Sequence, residues 1–465
     1  MGTMGKKKIS RRAFSKAAAA GSAALVFGGI GRPVWSSGRL QDRPNLLLVL
    51  DDQERQPMHT PALCLPNRER LKPAGVEFTN AYCTYPLCSP SRATIFTGRY
   101  PHEVGILTNV DFAARNSALS TRAPSLGRVF SEAGYTTAYF GKWHLSRRAH
   151  GLGNLHRYGF DDPHVSNQLI AFHSDPRVTE NAAGWIRKSK DRGPWLLVYS
   201  PINPHDICFP GLSRRYPGEK NYPVTLPPNY ESPPARAIQT LAGLQNSVVV
   251  KSVLPEGSAW LDFLRFYCYL LEDVDRNLGL VLDALEESGQ WENTVKVFTS
   301  DHGEMAGSHG LMGKSPTMYE ENLRIPLWIS DPRLARGFRQ CDGLVSNLDL
   351  APTLCALSGV RWPEPLPGLD LSPALRGEGG MAREQVFCEG GGDPRRFGWR
   401  GLRSREWKYW HYLNGEELLF QVQEDPLELC NRAGDPAAGE TLIRLRERVR
   451  EWRRETRDPF LEFMG

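Results

Sequence analysis

Four short apolar runs break off at polar, chemically capable residues, and this repeated edge is the dominant pattern along the chain. The run at 46–50 ends at Asp51 and Asp52, and the run at 136–140 ends at Gly141, Lys142, Trp143 and His144. The run at 195–199 leads to Pro201 and then His205, and the run at 295–299 leads to Asp301, His302, Gly303 and Glu304. Continuous apolar runs of this length suit strands covered on both faces, as in a parallel sheet. In open α/β sheets the ligand crevice lies beyond the carboxyl ends of the strands. The pattern therefore predicts that four separate segments deliver Asp, Lys and His to one edge.

Helical spacing fills the intervals. It predicts helices over 66–71, over 125–130 with Gly134 closing, over 260–287 with Gly289 closing, and over 349–357 with Gly359 closing. The aromatic stripe of the longest helix (Phe263, Phe266, Tyr267 and Tyr269) reads as core packing. Residues 210–234 are rich in Pro, Tyr and charge and read as a surface excursion that shapes specificity. A linker at 363–373 precedes a change of pattern. Short strands at 385–389, 398–403, 408–412 and 417–420 suit an antiparallel sheet, and 441–455 reads as a basic helix with a solvated face. The expected architecture is α/β: a large mixed, mainly parallel sheet sandwiched by helices, with a smaller C-terminal antiparallel sheet plus helix. The catalytic domain is expected over 40–375 and the C-terminal subdomain over 376–465.

Composition changes this picture at the N-terminus. The formal net charge is +5, but seven Lys/Arg and no Asp/Glu fall in residues 1–38, which leaves −2 for the rest. That balance points to no nucleic-acid partner. Ser10, Arg11, Arg12, Phe14 and Lys16 form S-R-R-x-F-x-K, which resembles a twin-arginine export signal, and the small apolar run 17–30 follows it. Residues 1–38 are thus expected to be a cleaved leader handled by the twin-arginine machinery. The first cysteine is Cys64, so no lipidated cysteine follows. No later run reaches the ~18 apolar residues of a membrane span. The expectation is an exported protein, periplasmic or secreted, with no stable membrane anchor. The nine cysteines are an odd number, and their spacing makes no zinc pattern.

The strand-end residues carry the chemistry. Adjacent carboxylates at Asp51 and Asp52 repel unless a divalent cation relieves them, and Asp301 with His302 adds further donors. An oxygen-rich set favours Ca²⁺ or Mg²⁺, and a histidine ligand tilts it toward Mn²⁺. Arg92, Lys142 and Lys314 are candidate anion clamps, and His144 and His205 are candidate proton carriers. Arg92 follows Cys88 by one helical turn, toward a helix N-terminus that favours anions through its free amides.

Cys88, Pro90 and Arg92 spell C-x-P-x-R, followed by Thr97-Gly98-Arg99, and this resembles the signature of the formylglycine-dependent sulfatases of the alkaline phosphatase superfamily. Gly141–Leu145, Asn203-Pro204-His205, Ser300–Glu304, Gly310–Lys314 and Asp425–Glu428 continue the resemblance from about Pro44 to about Asn431, in family order. The resemblance implies an alkaline-phosphatase-like fold and hydrolysis of a sulfate monoester to alcohol and sulfate. It implies that a formylglycine-generating enzyme oxidises Cys88, and that the hydrated aldehyde attacks sulfur to give a covalent sulfoenzyme. By the same resemblance Asp51, Asp52, Asp301 and His302 hold one divalent cation, Ca²⁺ first, with residue 88 completing the sphere. Arg92 and Lys142 hold the hydrate, His144 assists its turnover, and His205 and Lys314 bind sulfate and protonate the leaving alcohol. The implied substrate is a sulfated small molecule or carbohydrate. His302 replaces the Asn of many sulfatases and is shared with phosphonate monoester hydrolases. A phosphonate monoester or phosphodiester hydrolase on this scaffold is therefore the alternative, beside a catalytically silent sulfated-glycan-binding protein.

Overall fold

The computed structural model describes residues 40–56, 63–110, 118–146, 155–166, 170–218, 221–232, 257–314, 316–334, 337–378, 383–391 and 398–461. The expected leader at 1–38 lies outside the described residues, as do 219–220 and 233–234 of the surface excursion. Gly38–Gly465 makes one compact unit. Among the described residues no helix is long and apolar enough to cross a membrane.

The four apolar runs are strands of one sheet. β1 (Asn45–Asp51) lies between β5 (Trp195–Ser200) and β6 (Thr294–Ser300), parallel to both, and β3 (Thr136–Gly141) continues the parallel order beside β5. β4 (Asp162–Val165) closes that side. On the other side stand β8 (Leu327–Ser330), β2 (Gly75–Tyr82), β7 (Arg324–Ile325) and β9 (Arg339–Ser346), where antiparallel pairings make the sheet mixed. Alternation along β1 serves two cores. Leu46, Leu48 and Leu50 join one cluster with Ile95, Phe96 and Phe130, while Leu47 and Val49 join another with Ile186, Val274, Leu278 and Val281. Helices Cys88–Thr97 and Leu126–Glu132 cover the first face, and Ala171–Lys188 and Ala259–Glu287 cover the second.

A separate four-stranded antiparallel sheet runs β10 (Gln385–Gly390), β11 (Trp399–Ser404), β12 (Trp407–Tyr412) and β13 (Glu417–Gln421). Trp399, Trp410 and Phe420 pack into the main core, and Leu402, Tyr409 and Leu419 pack against Leu445, Val449 and Trp452 of helix Gly439–Glu455. The basic face of that helix is answered by acids: Arg446 pairs with Glu417, Arg448 with Glu451, and Arg450 and Arg454 with Glu447.

Registry decides what the sheet presents. Asp51 lies opposite Ser300 across β1 and β6, and Gly141 lies opposite Ser200 across β3 and β5. All four strands therefore end level, and the residues that follow them share one edge.

Candidate active site

Cys88 is the first residue of helix Cys88–Thr97 and is fully buried. Leu87 before it is extended, which turns the chain from β2 into the helix with its amide end toward the sheet edge. Two bonds fix that end. Ser89 N donates to Asn109 Oδ1 (3.0 Å), and Ser89 Oγ donates to the carbonyl of His144 (2.5 Å).

Groups from the other segments converge on the Cys88 sulfur. Lys314 Nζ is 3.0 Å away and His302 Nε2 3.3 Å, while Asp52 Oδ1 and Lys142 Nζ are each 3.7 Å away. Burial alone would raise the thiol, but Lys142, Lys314 and His302 together hold it well below the usual thiol range. His302 is oriented by its own backbone: Nδ1 donates to the carbonyl of Gly303 (2.9 Å), which leaves Nε2 as the atom aimed at Cys88.

Asp52, Cys88, Asp301 and His302 offer one donor atom each, all within 4.8 Å of one another and all buried. Among these, burial and the charge of Asp52 push Asp301 up to about 6. A divalent cation relieves that repulsion, and two carboxylates with an imidazole are an ordinary donor set for one. The residues present therefore fit the metal.

Asp51 is not brought into this group. Of the adjacent pair, it is Asp52 whose carboxylate lies within that 4.8 Å group. The Asp51 carboxylate is fully buried, and burial, then the neighbouring Glu54, raises it well above the usual carboxylate range.

Arg92 is fully enclosed, and its bonds run to the donors. Nε donates to Asp301 Oδ2 (2.8 Å), Nη2 to Asp52 Oδ2 (3.0 Å), and Nη1 to the Lys142 carbonyl (2.7 Å) and Ser200 Oγ (2.9 Å). It ties four strand ends together and acts on residue 88 through the carboxylates. Lys142 Nζ pairs with Asp52 Oδ2 at 2.6 Å. Burial works against the Asp52 carboxylate, yet Lys142, His205 and Arg92 hold it well below the usual range. His144 follows in a left-handed backbone conformation (φ 57°), and burial lowers its imidazole. His205 is pushed down to about 4 by burial and by the positive charges of Lys142 and Lys314.

Several residues that hold the site escape the strand-end pattern. Gln53 (φ 78°) accepts from Lys314 Nζ at 2.9 Å, donates to Glu304 Oε2 at 2.5 Å, and gives its backbone amide to Asp301 Oδ1 at 3.1 Å. Glu304 Oε1 accepts the amides of Ala306 (2.9 Å) and Gly313 (2.6 Å), which shapes the loop bearing Lys314. Asp206 accepts the amides of Ala171 (2.7 Å) and Phe172 (3.0 Å) at a helix start, and Asp175 accepts those of Ile202 and Asn203. Together they pin the His205 segment. Position offered the only signal: Gln53 directly follows Asp52, Asp206 directly follows His205, and Glu304 closes the Asp301 run. Cys208, three residues after His205, touches Gln53 (3.4 Å to Oε1).

The sequence profile described as Sulfatase matches residues 44–360, about two thirds of the chain. The chain belongs to the sulfatase family. This sulfatase also matches the profile described as N-sulphoglucosamine sulphohydrolase, C-terminal, over 307–455. It is 28% identical over 450 residues to the Delta 4,5-hexuronate-2-O-sulfatase of Bacteroides thetaiotaomicron, covering 91% of this chain and 92% of the relative. A putative sulfatase from the same bacterium superposes with a TM-score of 0.75 at 25% identity, covering 90% of this chain and 94% of that one. The phosphonate monoester hydrolase of Agrobacterium radiobacter shares the fold, with a TM-score of 0.73 at 24% identity over 89% of this chain and 96% of its own. The fold is alkaline-phosphatase-like, and the sulfatase is an enzyme that hydrolyses sulfate esters.

Proposed function

We propose that Cys88 is the nucleophile position and acts as formylglycine, with its sulfur standing where an oxygen of the hydrated aldehyde would stand. The observation that carries the reading is the convergence of Lys314, His302, Asp52 and Lys142 on that one sulfur at the start of a buried helix. In the first step a hydroxyl of residue 88 gives its proton to the Asp301 carboxylate and attacks sulfur, and the sulfur–alcohol bond breaks. Lys314 and His205 face the departing oxygen and supply its proton. In the second step the other hydroxyl loses its proton toward His144, the carbon–oxygen bond to sulfate breaks, and the aldehyde returns. A geminal diol suits this chemistry because it carries its own internal leaving route.

Asp52, Asp301 and His302 would hold the cation together with residue 88, and Arg92 positions the two carboxylates. A bound divalent cation would supply positive charge against the sulfate oxygens. The oxygen-rich donors favour Ca²⁺, and His302 leaves Mn²⁺ or Mg²⁺ as the other choices. Lys142 and Lys314 add fixed positive charge in a water-poor site, where such preorganised groups act most strongly.

The substrate is proposed to be a sulfated carbohydrate, in keeping with the relative named for a hexuronate 2-O-sulfate. The twin-arginine leader would carry the folded protein to the periplasm or beyond, so the formylglycine-generating enzyme must act first, in the cytoplasm. The test is an assay of purified protein on a sulfate ester, a phosphodiester and a phosphonate monoester, with Cys88→Ala alongside. The expected result is turnover of the sulfate ester that falls by at least about 10⁴-fold in the variant. Preferred turnover of the phosphonate monoester would favour the alternative chemistry, and retained turnover in Cys88→Ala would sink the assignment.

A further inference from the structure

The site becomes more exposed in one direction. Asp52, Cys88, Arg92, Asp301 and His302 are fully enclosed, His205 is nearly so, and Lys314 and Cys208 are half-buried. The mouth therefore opens between the segment that follows His205 and the segment that ends at Lys314. Phe209 stands on the first of these lips. Its side chain is 38% exposed, and its ring centroid lies 6.2 Å from that of His205.

This exposed phenyl group is held in place. Phe209 N donates to the carbonyl of Asp206 (2.9 Å), and Leu212 N donates to the carbonyl of Phe209 (2.8 Å). Asp206 is itself fastened to the start of helix Ala171–Lys188, and Cys208 is fastened to Gln53. Behind the lip lies an apolar cluster with Ile207 and Tyr216, which Leu212 and Met312 join, the latter from the opposite lip. A rigid aromatic face left in water beside a candidate proton carrier is the kind of surface that ligand sites use for an apolar part of the substrate.

We propose that Phe209 is the platform on which the alcohol part of the sulfate ester rests, and that this alcohol is a pyranose ring whose C–H face lies against the phenyl. A flat ring covers the phenyl, whereas a short acyclic chain leaves most of it in water, so the platform selects by shape. The inference rests on the sulfatase reading of the site and, within the carbohydrate class proposed above, adds the ring form of the alcohol and the residue that selects it.

The test compares Phe209→Ala and Phe209→Trp with the unsubstituted enzyme on a panel of methyl pyranoside sulfates and on a short acyclic alkyl sulfate. Loss of the platform should raise KM for the pyranoside sulfates about tenfold at unchanged kcat, as expected for lost apolar contact. The alkyl sulfate should be unaffected, and Phe209→Trp should keep KM near its original value. Equal losses on both substrates, a fall in kcat alone, or no change would overturn the platform. If the unsubstituted enzyme cleaves none of these esters, the sulfatase reading itself fails and takes the platform with it. That outcome is distinct from an active enzyme indifferent to Phe209.

Discussion

Two of the buried charge assemblies among the described residues are built on opposite plans. In the C-terminal region the charges form a chain. His102 Nδ1 meets Glu389 at 2.9 Å, Glu389 meets Arg400 at 3.3 Å, and Asp458 takes Arg400 at 2.8 Å and Arg453 at 2.7 Å. Each carboxylate is spent on a neighbour, and the chain links the segment after helix Cys88–Thr97, the small sheet and the last helix. At the edge of the large sheet the groups point inward instead, and two ammonium groups, an imidazole and a carboxylate meet at the Cys88 sulfur. Burial of charge is common to both assemblies, whereas convergence on one reactive atom distinguishes the sheet edge from the C-terminal chain.

The comparison is most strongly broken at Asp458. Asp458→Ala strands two buried arginines and should destabilise the protein by about 3–5 kcal/mol. The fraction that folds should keep its kcat. Chemical denaturation paired with an active-site-normalised assay checks both halves, and a matching loss of kcat would mean that the two assemblies are coupled.

A smaller effect is expected from the cation. Ca²⁺ at a hundredfold excess over its Kd should stabilise the protein by about 2.7 kcal/mol, seen as a rise in Tm. Asp52→Asn should abolish that rise, whereas Asp51→Asn should retain it, because Asp51 lies outside the donor cluster. An equal loss in both variants would restore Asp51 to the metal set.

Taken per pH unit, the smallest effect is set by pH. Burial, with Arg453 and Arg400 nearby, pushes His411 down to about 3. The folded chain keeps this ring neutral where the unfolded chain, with an ordinary histidine near 6.5, takes up a proton. Its contribution is therefore whole above about pH 6.5 and is lost as pH falls from there toward 3, by up to ~1.4 kcal/mol per unit. His411→Gln should flatten the acid limb of the stability profile by that amount, and an unchanged slope would place the acid sensitivity elsewhere.

The strand ends were legible because fully buried parallel strands write themselves as unbroken apolar runs. β1, β3, β5 and β6 stand where those runs lie, and Asp52, Lys142, His205 and Asp301 follow them. β2 was not legible, since Glu77, Thr79 and Asn80 interrupt its pattern and are half-buried. Helix Ala171–Lys188 is concealed by its polar run and by Pro176. Gln53, Asp175, Asp206 and Glu304 were hidden for another reason: each works by bonding backbone or side chains that only the tertiary fold brings near.

The central claim concerns one side chain, and one measurement reaches it directly. Protein isolated from its own host can be digested with trypsin, and the peptide that ends at Arg92 can be weighed. The account predicts a loss of ~18 Da at Cys88, the change from thiol to aldehyde at a single covalently modified residue. Cys83, in the same peptide, should remain an alkylatable thiol. An unmodified Cys88 in protein that is active on sulfate esters would contradict the account.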